Sequence, residues 1–141
     1  MTIAQGATNT FKVGMMDGSY DLAAGSFKIA LYTGAASIGP ETTVYTTDGE
    51  VVATGYTAGG EALTISQVPT IGSQTGIATA YMSFANVTWT SALTARGALI
   101  YDANSLASVC VLDFGADKTS TTTFTVQFPA VTSTAAIIRM T

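Results

Sequence analysis

Apolar and polar residues alternate at the strand period through most of this 141-residue chain, and that alternation restricts the fold more than any other feature. Phe27, Ile29 and Leu31 alternate with Lys28, Ala30 and Tyr32, and Phe124, Val126 and Phe128 alternate with Thr123, Thr125 and Gln127. Successive side chains of a strand point to opposite sides, so each such segment offers one face to a core. Segments 62–68, 77–84, 95–101, 108–114 and 135–140 read as strands too, and Thr and Val, β-branched residues that suit a pleated surface, dominate them. Turn clusters separate the segments: Asp48-Gly49, Gly59-Gly60, Gly72-Ser73, Asp102-Ala103-Asn104 and Gly115-Ala116-Asp117-Lys118. Short strands at this spacing predict an all-β, antiparallel, jelly-roll-like sandwich, with residues 1–141 forming one domain.

One stretch departs from the strand period. Thr8, Asn9 and Thr10 offer N-cap acceptors, Phe11 and Met15 stand four apart, and Asp17-Gly18 supplies a stop. The reading is one short N-terminal helix of one or two turns that buries Phe11 and Met15. Gly14, in its middle, lowers the propensity by about 1 kcal/mol relative to Ala.

The polar surface is built from hydroxyls rather than ions. The chain holds 25 Thr and 11 Ser, while charged residues make up 10% of it, against about 25% in ordinary soluble domains. There is no histidine, which removes His-ligated metals and the Ser-His-Asp and Cys-His forms of nucleophilic catalysis. Cys110, the one cysteine, can form neither an intrachain disulfide nor a Cys-rich zinc site. It stands between Val109 and Val111 with no basic neighbour, the pattern of a buried, reduced thiol. Five basic residues and a net charge of −4 oppose nucleic-acid binding. No run approaches the ~18 apolar residues of a membrane span. Residues 1–6 lack the basic-then-apolar pattern of a targeting signal, so synthesis in a cytosol is expected.

The remaining motifs carry little chemistry. Asp17 and Asp21, like Asp113 and Asp117, are four apart, but each pair sits beside a glycine, where Asp shapes turns through local hydrogen bonds. Arg96 opens an otherwise apolar strand and needs an anion, which Asp113 or Asp102 could supply; a structural ion pair between Arg96 and Asp113 is the expectation. Trp89 and the six tyrosines are scattered along strands as core residues are. Asn86-Val87-Thr88 matches the glycosylation pattern without a secretory signal. Gly55–Gly60 lacks the Lys-Ser/Thr of a phosphate loop. No catalytic, cofactor or metal set emerges, and an enzyme is not expected.

Charge is more informative. Residues 1–28 and 96–141 each sum to zero, and between Lys28 and Arg96 only Glu41, Asp48, Glu50 and Glu61 are charged. That stretch is either a solvated loop face or, with Glu41, Asp48 and Glu50, a surface matched to a basic partner. Phe11, Met15 and Met16 form the second candidate contact, packing on the chain's own sandwich or on a neighbouring copy.

Several blocks resemble small virion proteins of tailed bacteriophages: Asn9-Thr10-Phe11-Lys12, Asp21-Leu22, Lys28-Ile29-Ala30-Leu31-Tyr32-Thr33, Thr54-Gly55-Tyr56-Thr57-Ala58-Gly59-Gly60, Ala95-Arg96-Gly97-Ala98-Leu99-Ile100-Tyr101 and Leu112-Asp113-Phe114-Gly115. They run in order over nearly the whole chain, which is most similar to the capsid cement, or decoration, proteins of short-tailed phages such as those infecting Bordetella. That resemblance implies a jelly-roll homodimer on the outer surface of a virion head, with the phage major capsid protein as its partner. The alternatives are a tail- or fibre-associated virion protein and a carbohydrate-binding β-sandwich module.

Overall fold

The computed structural model describes residues 2–74 and 76–141. In chain order the elements are β1 (Gly6–Ala7), α1 (Asn9–Asp17), β2 (Phe27–Tyr32), β3 (Glu61–Leu63), β4 (Ile65–Gln74), β5 (Ile77–Phe84), β6 (Val87–Trp89), β7 (Thr94–Asp102), β8 (Ser108–Thr119), β9 (Phe124–Val126) and β10 (Ile138–Met140). The strands form a five-stranded sheet in the order β1-β8-β7-β2-β3, a three-stranded sheet β10-β5-β4 and a two-stranded sheet β6-β9, with all pairs antiparallel. The chain is an all-β sandwich with one short N-terminal helix.

The main core lies between the large sheet and the two small ones. Phe27, Ile29, Leu31, Ala98, Ile100 and Val109 meet Met82 and Phe84 of β5, Val87 and Trp89 of β6, and Phe124 and Val126 of β9. Phe27 meets Phe84 edge-on at 5.7 Å between ring centroids, and Trp89 meets Phe124 likewise at 6.3 Å, a geometry the aromatic quadrupole favours. The opposite face of the large sheet is buried as well. Ala30, Tyr32, Leu99, Tyr101 and Val111 pack under Ala36, Ile38 and Tyr45 from residues 33–60, the long connection between β2 and β3. The alternation in β2 thus marks two buried faces, not one buried and one wet.

Two of the expected turns lie inside strands. Gly72-Ser73 belongs to β4, where Gly72 pairs with Thr79 and Ser73 with Ala78. Gly72 is small for a packing reason: a Cβ there would stand 2.7 Å from Ser133 Cβ. Gly115–Lys118 lies within β8, which runs on to Thr119. Across from it the register jumps from Ala95↔Lys118 to Gly97↔Asp113, so the extra residues form a bulge, with Gly115 at φ +79°. Turn chemistry is present there, but the chain does not reverse.

Segment 62–68 divides between sheets. β3 pairs with β2 and β4 with β5, and at Thr64, where the chain crosses over, the carbonyl accepts from Ala85 N–H at 2.8 Å. β1 and β6 were not expected; at two and three residues they are too short to show a period.

α1 is nine residues long, more than the one or two turns expected. Thr8 is its N-cap: its Oγ1 accepts from Phe11 N–H at 3.1 Å and donates toward the Ser108 and Val109 carbonyls at 3.2 Å, tying the cap to β8. Gly18, at φ +80°, closes the helix in the left-handed conformation. Gly14 is required rather than merely tolerated, because a Cβ there would stand 2.1 Å from the Tyr20 ring.

Candidate functional site

Phe11, Met15 and Met16 of α1 have different environments. Phe11 is buried edge-on against Tyr20, 5.1 Å between centroids, so it belongs to the core. Met15 is half-buried against the same core, and Met16 is 90% exposed. All three border a groove of about 1100 Å³ where the sandwich opens between α1 and β8 on one side and β5 and β10 on the other. Its floor is apolar, with Leu22, Cys110, Met82 and Ile138 among the lining residues. Lys12 and Arg139 stand on its rim.

The acidic residues do not form one face. Asp48 is exposed, and Glu41 is exposed with Oε1 accepting from Asn9 Nδ2 at 2.9 Å. Glu50 is buried, which corrects the expectation of a solvated contact residue. Its Oε1 accepts from Tyr56 Oη at 2.7 Å and from Gly59 N–H at 2.8 Å, and its Oε2 accepts from Tyr45 Oη at 2.6 Å. Three donors converge on one carboxylate, as a buried acceptor of this charge requires. The tyrosines carry the network onward: Tyr56 Oη accepts from Leu31 N–H at 2.8 Å, and Tyr101 Oη donates to the Gly59 carbonyl at 2.6 Å. Tyr45 also stacks on Tyr101 at 4.8 Å. Burial first, and then the Glu50 charge, hold the hydroxyls of Tyr32, Tyr45 and Tyr56 well above the usual phenol range. This cluster fastens the 33–60 connection to the large sheet.

Arg96 Nε donates to Asp113 Oδ1 at 3.2 Å, with the two side chains 37% and 27% exposed, so this is a surface pair at the β8 bulge. Asp102 takes no part, since its Oδ1 accepts from the N–H groups of Asn104 and Ser105 in the β7–β8 turn. The Gly115 N–H, and then Arg96, hold the Asp113 carboxyl below its usual value. Asp17 and Asp21 shape local turns, the first accepting from Ser19 N–H and the second from Ala23 and Ala24 N–H. Asn86 Oδ1 accepts from Phe128 N–H at 2.8 Å, fixing one strand connection to another. Burial pushes the Cys110 thiol up to about 12, away from nucleophilic use at neutral pH.

Among the described residues, no three His, Cys, Asp or Glu side chains gather as a metal set. The chemistry of the groove is that of burial with cations at the margin. Of its lining, sequence reasoning singled out Phe11, Met15, Met16, Asp21 and Cys110. It missed Lys12, Leu22, Met82 and the 137–140 segment, although Ile137-Ile138-Arg139-Met140 is a readable signal: apolar residues around the one charge after Lys118. The sequence matches no protein-family model and no curated protein, and no solved structure matches the chain.

Proposed function

We propose that this chain is a non-enzymatic virion protein of a tailed phage, a capsid cement that binds the outside of the head as a homodimer and ties neighbouring major capsid subunits together. The observation that carries the reading is where the phage-like blocks fall. They fall on most of β2 and β7, on parts of α1 and β8, and on the 54–60 loop, whose Tyr56 and Gly59 hold Glu50, so they concentrate in and beside the large sheet. None falls on β4, β5, β6, β9 or β10. Those strands are drawn from 62–95 and 119–138, stretches without one charged side chain, plus Arg139 at the end. A sealed scaffold with a charge-poor flank suits a protein that works through buried contact area.

Such a role needs no catalytic group. A standard interface buries roughly 1,600 Å² in total, and a bridge makes the second contact effectively intramolecular. A protein that binds the assembled shell and not its parts adds about 2.7 kcal/mol per site at a hundredfold excess over Kd. Short Thr and Ser side chains lose little rotamer freedom when such surfaces pair.

The test mixes purified protein with phage heads that lack it, images them and then heats them. Regular added density with a raised disruption temperature is the expected result. Failure to bind heads, or binding at the tail vertex alone, overturns it.

A further inference from the structure

We propose that the groove at the mouth of the sandwich takes an extended, mainly apolar peptide segment carrying an acidic side chain, laid along the outer edge of β10. Three observations converge on that ligand. First, the space is about 1100 Å³ and its floor is apolar, so it can bury several side chains of one strand face. Second, β10 is the outermost strand of its sheet, so its outward N–H and C=O groups meet no strand among the described residues. Four consecutive residues, Ile137 to Met140, border the groove. β10 is thus both a border of the groove and a strand with one unpaired edge. An incoming strand could therefore be hydrogen-bonded as well as buried.

Third, the rim is positive in a chain of net charge −4. Lys12 and Arg139, two of the five cations, are exposed there, and neither has a carboxylate within ion-pair distance among the described residues. The one acid on the rim, Asp21, has Oδ1 occupied by the N–H groups of Ala23 and Ala24. A fatty acid would use the floor and the cations but leave the β10 edge unpaired. A second copy pairing β10 to β10 about Arg139 would set like charges opposite each other, which is unfavourable. A peptide with one Asp or Glu satisfies floor, edge and rim together. The segment belongs to a different protein, not to a second copy of this chain, and the inference stands apart from the role on phage heads.

The probes are synthetic peptides of about nine residues, alternating Val, Leu or Ile with Thr around one central Glu. Matched peptides carry Lys in place of Glu, or Pro at two inner positions, and palmitate serves as the lipid-like probe. Binding is read by fluorescence anisotropy on the intact chain and on the Lys12→Glu/Arg139→Glu variant, whose melting checks that it folds. The Glu peptides are expected to bind the wild type, with about tenfold weakening in the variant and for the Lys and Pro peptides. The proposal is overturned if no Glu peptide binds, if Glu, Lys and Pro peptides bind alike, or if palmitate binds and the peptides do not. Self-association of the wild type that the variant loses also overturns it, by assigning the groove to a second copy.

Discussion

The five-stranded sheet and the three-stranded sheet β10-β5-β4 are built from similar residues and end in different states. In the large sheet both faces are closed, by the small sheets on one side and the 33–60 connection on the other, and β2 and β7 are buried almost throughout. In the small sheet Met82 and Phe84 of β5 are buried in the core and Ile65 and Ile138 lie half-buried against it, while β4 leaves Val68 51% and Ile71 67% exposed. Natural edge strands are commonly protected by charge, proline or bulges. β4 has Pro69 and two register shifts, and no charge at all. The difference teaches that a strand's period does not decide its burial. What covers the strand does.

A glycine exchange breaks the comparison most sharply. Gly60 has φ +75°, and a Cβ on it would lie 1.8 Å from the Ile29 carbonyl oxygen in the large sheet. Gly60→Ala is expected to cost more than about 4 kcal/mol, enough to prevent folding. Gly76, at φ +80° in the β4–β5 hairpin, meets nothing within 4 Å. There the same exchange should cost only about 1 kcal/mol, from the left-handed backbone alone. Chemical denaturation of both variants checks the contrast, and equal losses would deny it.

Glu50→Gln is the next largest. An amide can accept from two of the three donors, but its NH2 must face a third, so a loss of about 2–3 kcal/mol is expected. Asp48→Asn, a few residues away but exposed, should stay within about 0.5 kcal/mol.

Alkaline titration sharpens the same contrast. The native hydroxyls of Tyr20, Tyr32, Tyr45, Tyr56 and Tyr101 are raised, and Cys110 reaches about 12, in each case mainly through burial. A raised native value means that the unfolded chain ionises first. The stabilisation is complete below the unfolded values, about 8.5 for Cys and about 10 for Tyr, and is lost as pH climbs through them toward the native ones. Unfolding midpoints should fall steadily above about pH 9. Tyr45→Phe should flatten that fall, since it removes one of the raised groups beside Glu50.

The smallest expected effects lie on the open side. Val68→Lys and Ile71→Lys should each leave the melting temperature nearly unchanged, because both side chains already face water. If the charge-poor flank meets a capsid, the pair should weaken attachment to heads. Unchanged head binding would place the contact elsewhere on the molecule.

Much of the secondary structure can be read in local pattern, because the causes are local. Segment 77–84 is β5 to the residue, and Thr8 caps α1 as its side chain suggests. Gly115 and Asp113 make the local hydrogen bond expected of a turn, yet the bond serves a bulge, because Lys118 and Asp113 remain paired to β7 on either side of it. The groove was less readable. Phe11 and Met15 could be placed on one helix face, but not the meeting of that face with Ile138, more than a hundred residues away.

By itself the sequence determined the strand period, the helix cap and stop, and the absence of histidine chemistry, since each depends on residues within a few positions of one another. Only the tertiary structure decided that Tyr32 and Tyr101 would be sealed like Ile29 and Ile100, and that Glu50 would be buried while Asp48 stayed wet. The physical reason is that burial belongs to pairs of surfaces. A carboxylate goes inside only where donors such as Tyr45, Tyr56 and the Gly59 N–H converge on it, and that convergence exists only once residues 33–60 have folded across the sheet.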